Sequence, residues 1–157
     1  MINGKRGSQD IETGLAVYVA CLNAIARATT TGTLEPDLHA IERGRKYARI
    51  VTVDFDGSRS ARTFVDLATG AVYMAATWRG PTKKTPRGNV LDGSWLEWSN
   101  VYGAGYVGDR GEVARYLEHG VADVVRDAVL AGDAVAAATL LEAEVRAGRK
   151  RLRKAAP

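Results

Sequence analysis

The stretch that decides the fold runs from Arg45 to Trp78 and reads RKYARIVTVDFDGSRSARTFVDLATGAVYMAATW. Its apolar residues alternate with a period of two, which is the pattern of half-buried β-strands. Asp56-Gly57 is a hairpin signal of type I′, after which SARTFVD returns as a second strand. The turn LATG at 67–70 leads to a third strand, AVYMAATW. The stretch therefore predicts an antiparallel meander.

The strand faces follow from this alternation. In the first strand one face carries Tyr47, Arg49, Val51 and Val53, and the other carries Ala48 and Ile50. Two later segments, NVL at 89–91 and SWLEW at 94–98, are candidates for extending the sheet. The prediction is an antiparallel sheet of three to five strands within residues 45–98.

Helices are predicted on both sides of the sheet. A stripe with steps of four and three residues predicts a helix over 9–30, capped by Ser8 or Asp10. Pro36 is expected to open a short helical turn through Glu42. A C-terminal helical hairpin is predicted over 110–150, with Gly132 and Asp133 at its turn. The expected core positions are Ile11, Leu15, Tyr18, Leu22, Ile25, Val113, Leu117, Val121, Val124, Ala128, Val135, Leu141 and Val145.

The fold class is therefore predicted to be α+β, with residues 1–157 forming a single domain. The composition, 46% hydrophobic and 25% charged, is that of a globular protein. No run resembles a transmembrane helix, and the N-terminus lacks the apolar segment of a signal peptide. The lone Cys21 indicates a reducing, cytosolic setting.

The chain is basic, with a formal net charge of +4 and a pI of about 9.4. Such a charge permits a polyanionic partner without requiring one. Five of the six residues in RKRLRK at 149–154 are positive. A solvated helix end is the favoured interpretation of this basic tail, and a phosphate-binding arm is the alternative.

Catalytic patterns are sparse. With one cysteine and only His39 and His119, the sequence shows no nucleophile–histidine signature and no zinc site. The segment IVTVDFDGS at 50–58 resembles the nucleophile motif of haloacid-dehalogenase-type phosphatases, which would give Asp54 and Asp56 catalytic roles beside magnesium. A returning strand follows at once, however, rather than a crossover helix. We therefore expect a hairpin turn, no enzyme, no metal and no cofactor.

An aromatic and basic segment follows the third strand. Its candidate ligand-binding side chains are Trp78, Arg79, Lys83, Lys84, Arg87 and Asn89, with Tyr47 and Arg49 on the first strand. Aromatic rings stack on bases, whereas Arg and Lys hold phosphates. The sequence predicts an anion-binding surface here, and the alternative is a core tryptophan beside a solvated loop.

The segments RKYARIV, RSARTFVDLATGAVYMAATWRGP and RGNVLD together resemble a family of small tailed-bacteriophage proteins of uncharacterised function. The resemblance covers Arg45 to Asp92, with TKKTP a residue longer than is usual there. It implies a phage protein in the host cytoplasm or the virion and carries no mechanism.

Three function classes follow. The first is a phage accessory protein that binds nucleic acid, single-stranded or without sequence preference. The second sequesters a phosphorylated nucleotide signal of host defence. The third is a virion or assembly component whose C-terminal helices contact protein. Exposed sheet edges and a hairpin rich in Val, Leu and Ala also suggest a homo-oligomer, and no membrane association is expected.

Overall fold

The computed structural model describes residues 10–82, 85–100, 102–105, 111–117 and 121–155. An N-terminal helix precedes a four-stranded antiparallel sheet, and further helices follow it, so the predicted α+β class is confirmed. The elements are α1 (Ile11–Thr29), β1 (Leu38–Arg43), β2 (Tyr47–Val53), β3 (Arg59–Asp66), β4 (Val72–Met74), β5 (Ser99–Asn100), β6 (Gly103–Ala104), α2 (Val113–Tyr116), α3 (Val121–Leu130) and α4 (Ala134–Ala155).

The main sheet has the strand order β1-β2-β3-β4, so each strand pairs with its neighbour in the chain. The predicted meander is β2, β3 and β4, although β4 ends at Met74 rather than Trp78. The helical turn expected after Pro36 is wrong, because Leu38–Arg43 is strand β1. Its six residues pair along almost the whole of β2, and this pairing overrides the local helical signal.

Both predicted turns are present. At the first, the amide of Gly57 donates to the carbonyl of Asp54, which places Phe55 and Asp56 at the centre of the turn. Gly57 follows with a φ of 86°. This is a three-residue hairpin loop rather than the expected two-residue type I′ turn, and its left-handed position suits glycine.

Beyond β4 the chain folds back along the sheet edge. The amide of Arg87 donates to the carbonyl of Val72, and Asn89 forms an isolated bridge with Ala71. The predicted contribution of 89–91 is thus limited to that bridge. The other candidate extension, 94–98, does not form a strand, because Ser94–Trp98 is a 3₁₀ helix in which Trp95 packs into the core.

Helix α1 is buried between the sheet and α4. The side chain of Asp10 caps it by accepting a hydrogen bond of 2.8 Å from the amide of Thr13, as one of the two predicted caps would. The Tyr18 hydroxyl lies 3.3 Å from Thr63 Oγ1 on β3, and its ring packs edge-on against Trp95. On the opposite side, Arg27 pairs with Glu142 of α4.

By length and a hydropathy of 1.3 over its most apolar window, α1 could also cross a membrane. The expectation that no stretch resembles a transmembrane helix therefore does not hold for this segment. The same properties are found in core helices, and 56% of this window is buried in the protein.

Among the described residues, the C-terminal region contains three helices rather than a simple hairpin. Gly132 has a φ of 74°, and Asp133 caps α4 through the amide of Ala136, as predicted. Two predicted core positions are wrong, since Val124 is 51% and Val135 78% exposed. The core instead takes Val125, Val129, Ala137, Leu141 and Val145.

His39 on β1 gives the fold a pH dependence. The residue is 5% exposed, and burial lowers the pKa of His39 to about 4, with repulsion from Arg62 as a second cause. In the unfolded chain the pKa is about 6.5. The unfolded state therefore binds more protons between pH 6.5 and 4, and stability falls as the pH drops through that window.

We expect the titration of His39 alone to lower the free energy of unfolding by about 2 kcal/mol between pH 7 and pH 5. Urea unfolding at the two pH values should show that loss in the wild type. In the His39→Gln variant, the loss of stability between the two pH values should be smaller by about 2 kcal/mol. An identical pH dependence in both proteins would contradict the assignment.

Candidate functional site

A row of side chains crosses the sheet face that points away from α1. The strand register places Glu42, Arg49, Phe64 and Tyr73 side by side on the four strands. Arg49 donates to a Glu42 carboxylate oxygen at 3.1 Å, and its guanidinium lies 5.8 Å from the Phe64 ring centre. Phe64 is buried but is not part of the main core cluster. This outer face thus carries a small apolar patch and a charged network of its own.

Trp78 is held above this face by two arginines. The guanidinium carbon of Arg49 lies 4.4 Å from the indole centre, and that of Arg59 lies 5.3 Å away. Arg49 Nε also donates to the Trp78 carbonyl at 2.9 Å, while Arg59 pairs with Glu42. Cation–π contacts of this kind contribute about 0.5–1 kcal/mol at exposed sites. Trp78 therefore lies on the outer face, 39% exposed, rather than in the core.

A groove of about 230 Å³ opens beside this network at the β1–β2 turn. Five of its lining side chains are basic and Glu42 is the single acidic one. Tyr47 and Phe64 supply aromatic rings to it. The basic residues are Arg43, Arg45, Lys46, Arg49 and Arg79. We call this site the basic groove.

The five cations are not equivalent. Arg43 pairs with Glu12 of α1, and Arg49 pairs with Glu42. The other three are exposed, and no carboxylate of a described residue pairs with them. These three are Arg45, Lys46 and Arg79. Their charge is available to an anionic ligand, whereas that of Arg43 and Arg49 is largely neutralised within the protein.

The aromatic wall of the groove is preorganised. The rings of Tyr47 and Phe64 meet edge to face, with centroids 6.1 Å apart at 81°. Phe64 is 2% exposed, whereas Tyr47 is half-buried, and the Lys46 ammonium lies 5.5 Å from its ring centre. Tyr47 is therefore the groove ring that a ligand can reach.

Arg87 has a structural position rather than a place in the groove. Its side chain is 6% exposed and donates to the carbonyl of Gly105 at 2.9 Å and to that of Thr85. The third nitrogen lies 3.4 Å from the sulfur of Met74. Arg87 thus joins the segment after β4 to the β5–β6 region, and its donors are occupied by the protein itself.

Asn89 is also engaged within the fold. Its Oδ1 accepts from the amide of Leu91 at 2.7 Å, and its Nδ2 donates to the carbonyl of Thr69 at 2.9 Å. The structure therefore brings Tyr47, Arg49 and Arg79 together and sets Trp78 beside them, while Arg87 and Asn89 are used elsewhere. Lys83 and Lys84 lie outside the described residues.

The paired aspartates of the phosphatase-like motif lie in the β2–β3 turn, not at the carboxyl end of a parallel strand. A side-chain hydrogen bond between them raises the pKa of Asp54 and lowers that of Asp56 to about 2. The amide of Ser58 also donates to Asp56. Within the described part of the chain, no group of three or more His, Cys, Asp or Glu side chains is placed to hold a metal ion.

Sequence reasoning missed Arg43, Arg45, Lys46 and Arg59. The run RGRK at 43–46 was the available signal. The helical turn predicted for the preceding residues gives no reason for the run to face Tyr47. Once β1 pairs with β2, the run becomes a hairpin turn at the edge of the groove.

The fold and the basic groove define a small α+β protein with a cationic, partly aromatic sheet face. Residues 8–108 match the model of a family of unknown function, DUF7717, which covers more than half of the chain, and the protein belongs to that family. The matched span includes α1, the whole main sheet and every residue of the basic groove. No curated protein and no solved structure matches the sequence.

The buried position of Arg87 can be separated from a binding role by a stability measurement. Arg87→Gln would leave buried carbonyls without a charged donor, so we expect the free energy of unfolding to fall by about 2 kcal/mol. The matched variant Arg79→Gln removes an exposed arginine and should change it by less than about 0.5 kcal/mol. Urea unfolding checks both values, and equal stability of the two variants would contradict the structural role.

Proposed function

We propose that the protein binds nucleic acid, single-stranded or without sequence preference, through the basic groove and the exposed edge of Trp78. The single observation that carries this proposal is the convergence of five basic side chains on one groove, three of which pair with no described carboxylate. Phosphates attract such a cluster electrostatically, and each contact releases counterions from the strand.

The aromatic groups suit the same ligand. Tyr47 lines the groove, and the 39% exposed indole of Trp78 lies next to it, through Arg49. Base stacking on such rings contributes about 1–3 kcal/mol per base with little sequence preference. Proteins that bind single strands without sequence preference combine cations that contact the phosphates with aromatic rings that stack on the bases.

The size and exposure of the groove argue against the alternative function, the sequestration of a nucleotide signal. The groove volume of about 230 Å³ lies below the roughly 300–1,000 Å³ typical of small-molecule pockets. Its cations are also exposed rather than enclosed. A surface contact with a polymer fits these dimensions better than capture of a small nucleotide does.

The resemblance to small tailed-bacteriophage proteins supports placing this activity in a phage accessory protein in the host cytoplasm. A virion or assembly role through the C-terminal helices remains the competing proposal. The two differ in location, because a virion component would copurify with particles.

The test is fluorescence anisotropy with a labelled oligothymidylate of about twenty nucleotides at low and moderate salt. Arg45→Gln/Lys46→Gln should weaken binding and flatten the salt dependence. The slope changes by about 0.7 for each phosphate contact on a single strand, hence by about 1.4 for two contacts. Tyr47→Ala should weaken binding about tenfold at both salt concentrations, because stacking is not a counterion effect.

The matched control is Arg126→Gln/Arg146→Gln, which removes the same charge from helices that do not line the groove. It should retain the wild-type salt slope. A cyclic dinucleotide and an ADP-ribose derivative serve as competitors. A saturable one-to-one complex with either of them, combined with no affinity for the oligonucleotide, would overturn the proposal in favour of nucleotide sequestration.

A further inference from the structure

A second cationic site lies near the C-terminal end of α1, between α2 and the C-terminal half of α4. This cleft has a volume of about 320 Å³. Its lining consists of three arginines, one tyrosine and one leucine, with no carboxylate among them. The residues are Arg115, Tyr116, Arg149, Leu152 and Arg153. We call it the arginine cleft.

The cleft depends on a close approach between the two helices. A Cβ on Gly148 of α4 would lie 2.1 Å from the carbonyl oxygen of Tyr116, so only glycine allows α2 to sit directly on α4. Arg151 donates to that same carbonyl at 3.1 Å, and Arg149 donates to the carbonyl of Ala28 at the end of α1. The arginines therefore project from a fixed backbone arrangement rather than from a loose tail.

The charge of the cleft is not compensated within the described structure. No described carboxylate pairs with Arg115, Arg149 or Arg153. The nearby Glu112 accepts a hydrogen bond of 2.9 Å from the Tyr116 hydroxyl. Two of the lining arginines, Arg149 and Arg153, also belong to a helix end in which five of six residues, 149–154, are basic. Such a surface is suited to a polyanion.

We propose that the arginine cleft holds the phosphate backbone of the same nucleic-acid strand that occupies the basic groove, so that one strand spans both sites. This inference rests on the proposed function and extends it to a two-site contact. A nucleic acid fits better than an anionic membrane surface. Helices that lie on membranes need a broad apolar face, whereas the one large apolar side chain in 149–154 is Leu152, 43% exposed.

Helix α1 sets the distance between the sites. Glu12 at its start pairs with Arg43 of the basic groove, and Ala28 at its end accepts from Arg149 of the arginine cleft. Sixteen steps of about 1.5 Å separate these contacts by about 24 Å. At about 3.4 Å per stacked nucleotide, a strand of at least roughly seven nucleotides is needed to reach from one to the other.

The experiment compares oligothymidylates of four and twenty nucleotides on the full chain, by anisotropy and by calorimetric stoichiometry. The short strand should occupy two sites per chain. The long strand should bind one per chain, with at least tenfold higher affinity, because its second contact is intramolecular. If two short strands bind per chain but the long strand binds with no higher affinity, the proposal that one strand spans both sites is wrong.

The decisive variant is Arg115→Gln/Arg153→Gln. It should lower the affinity for the long strand at least tenfold, reduce its salt slope by about 1.4, and leave one site for the short strand. Gly148→Ala disturbs the cleft without removing a charge and should weaken long-strand binding in the same direction. If Gly148→Ala does not fold, as judged by circular dichroism, the arginine double variant decides alone. The control is again Arg126→Gln/Arg146→Gln, which should behave as the wild type.

The outcomes separate the two proposals. If Arg115→Gln/Arg153→Gln matches the control while Arg45→Gln/Lys46→Gln loses binding, the arginine cleft is refuted and the basic groove stands. The reverse result refutes the basic groove and, with it, the spanning strand. No oligonucleotide binding by the wild type overturns both. Loss of binding to phosphatidylserine vesicles in the cleft variant, with oligonucleotide binding unchanged, would assign the cleft to a membrane surface instead.

Discussion

The burial of helix α1 between the sheet and α4 is the constraint on which the rest of the structure depends. Tyr18 joins α1 to β3 through Thr63, and Arg27 joins it to α4 through Glu142. Because the inner face of the sheet is covered in this way, polar and charged side chains can reach solvent only on the outer face and at the edges. The basic groove lies on that remaining surface near the start of α1, whereas the arginine cleft lies between α2 and α4 near the end of α1.

Arginine serves three separate purposes in this fold, and only the surroundings distinguish them. Arg87 is buried and donates to backbone carbonyls, which makes it part of the framework. Arg49 and Arg59 share Glu42 and hold Trp78. Arg45, like Arg79, is exposed on the basic groove and pairs with no described carboxylate. A net charge of +4 says nothing about this division.

Local signals predicted several features whose partners are close neighbours in the chain. The cap at Asp10, the turn at Asp56-Gly57 and the cap at Asp133 each depend on a few consecutive residues, and each was found. The segment after Pro36 was misassigned because its hydrogen-bond partner, β2, decides its conformation. The core face of α3 was off by one residue, Val125 in place of Val124, since a short helix is oriented by what it packs against.

The sequence by itself determined the fold class, the hairpin order of β2, β3 and β4, and the concentration of aromatic and basic residues around them. Those properties follow from periodicity, turn residues and composition, which are local. Only the tertiary structure decided that Tyr47, Arg49 and Arg79 share a groove while Arg87 and Asn89 do not. It also decided that Gly148 seats α2 on α4 and so forms the arginine cleft. These outcomes depend on the register between strands and on the close approach of helices, and neither can be read from the order of residues alone.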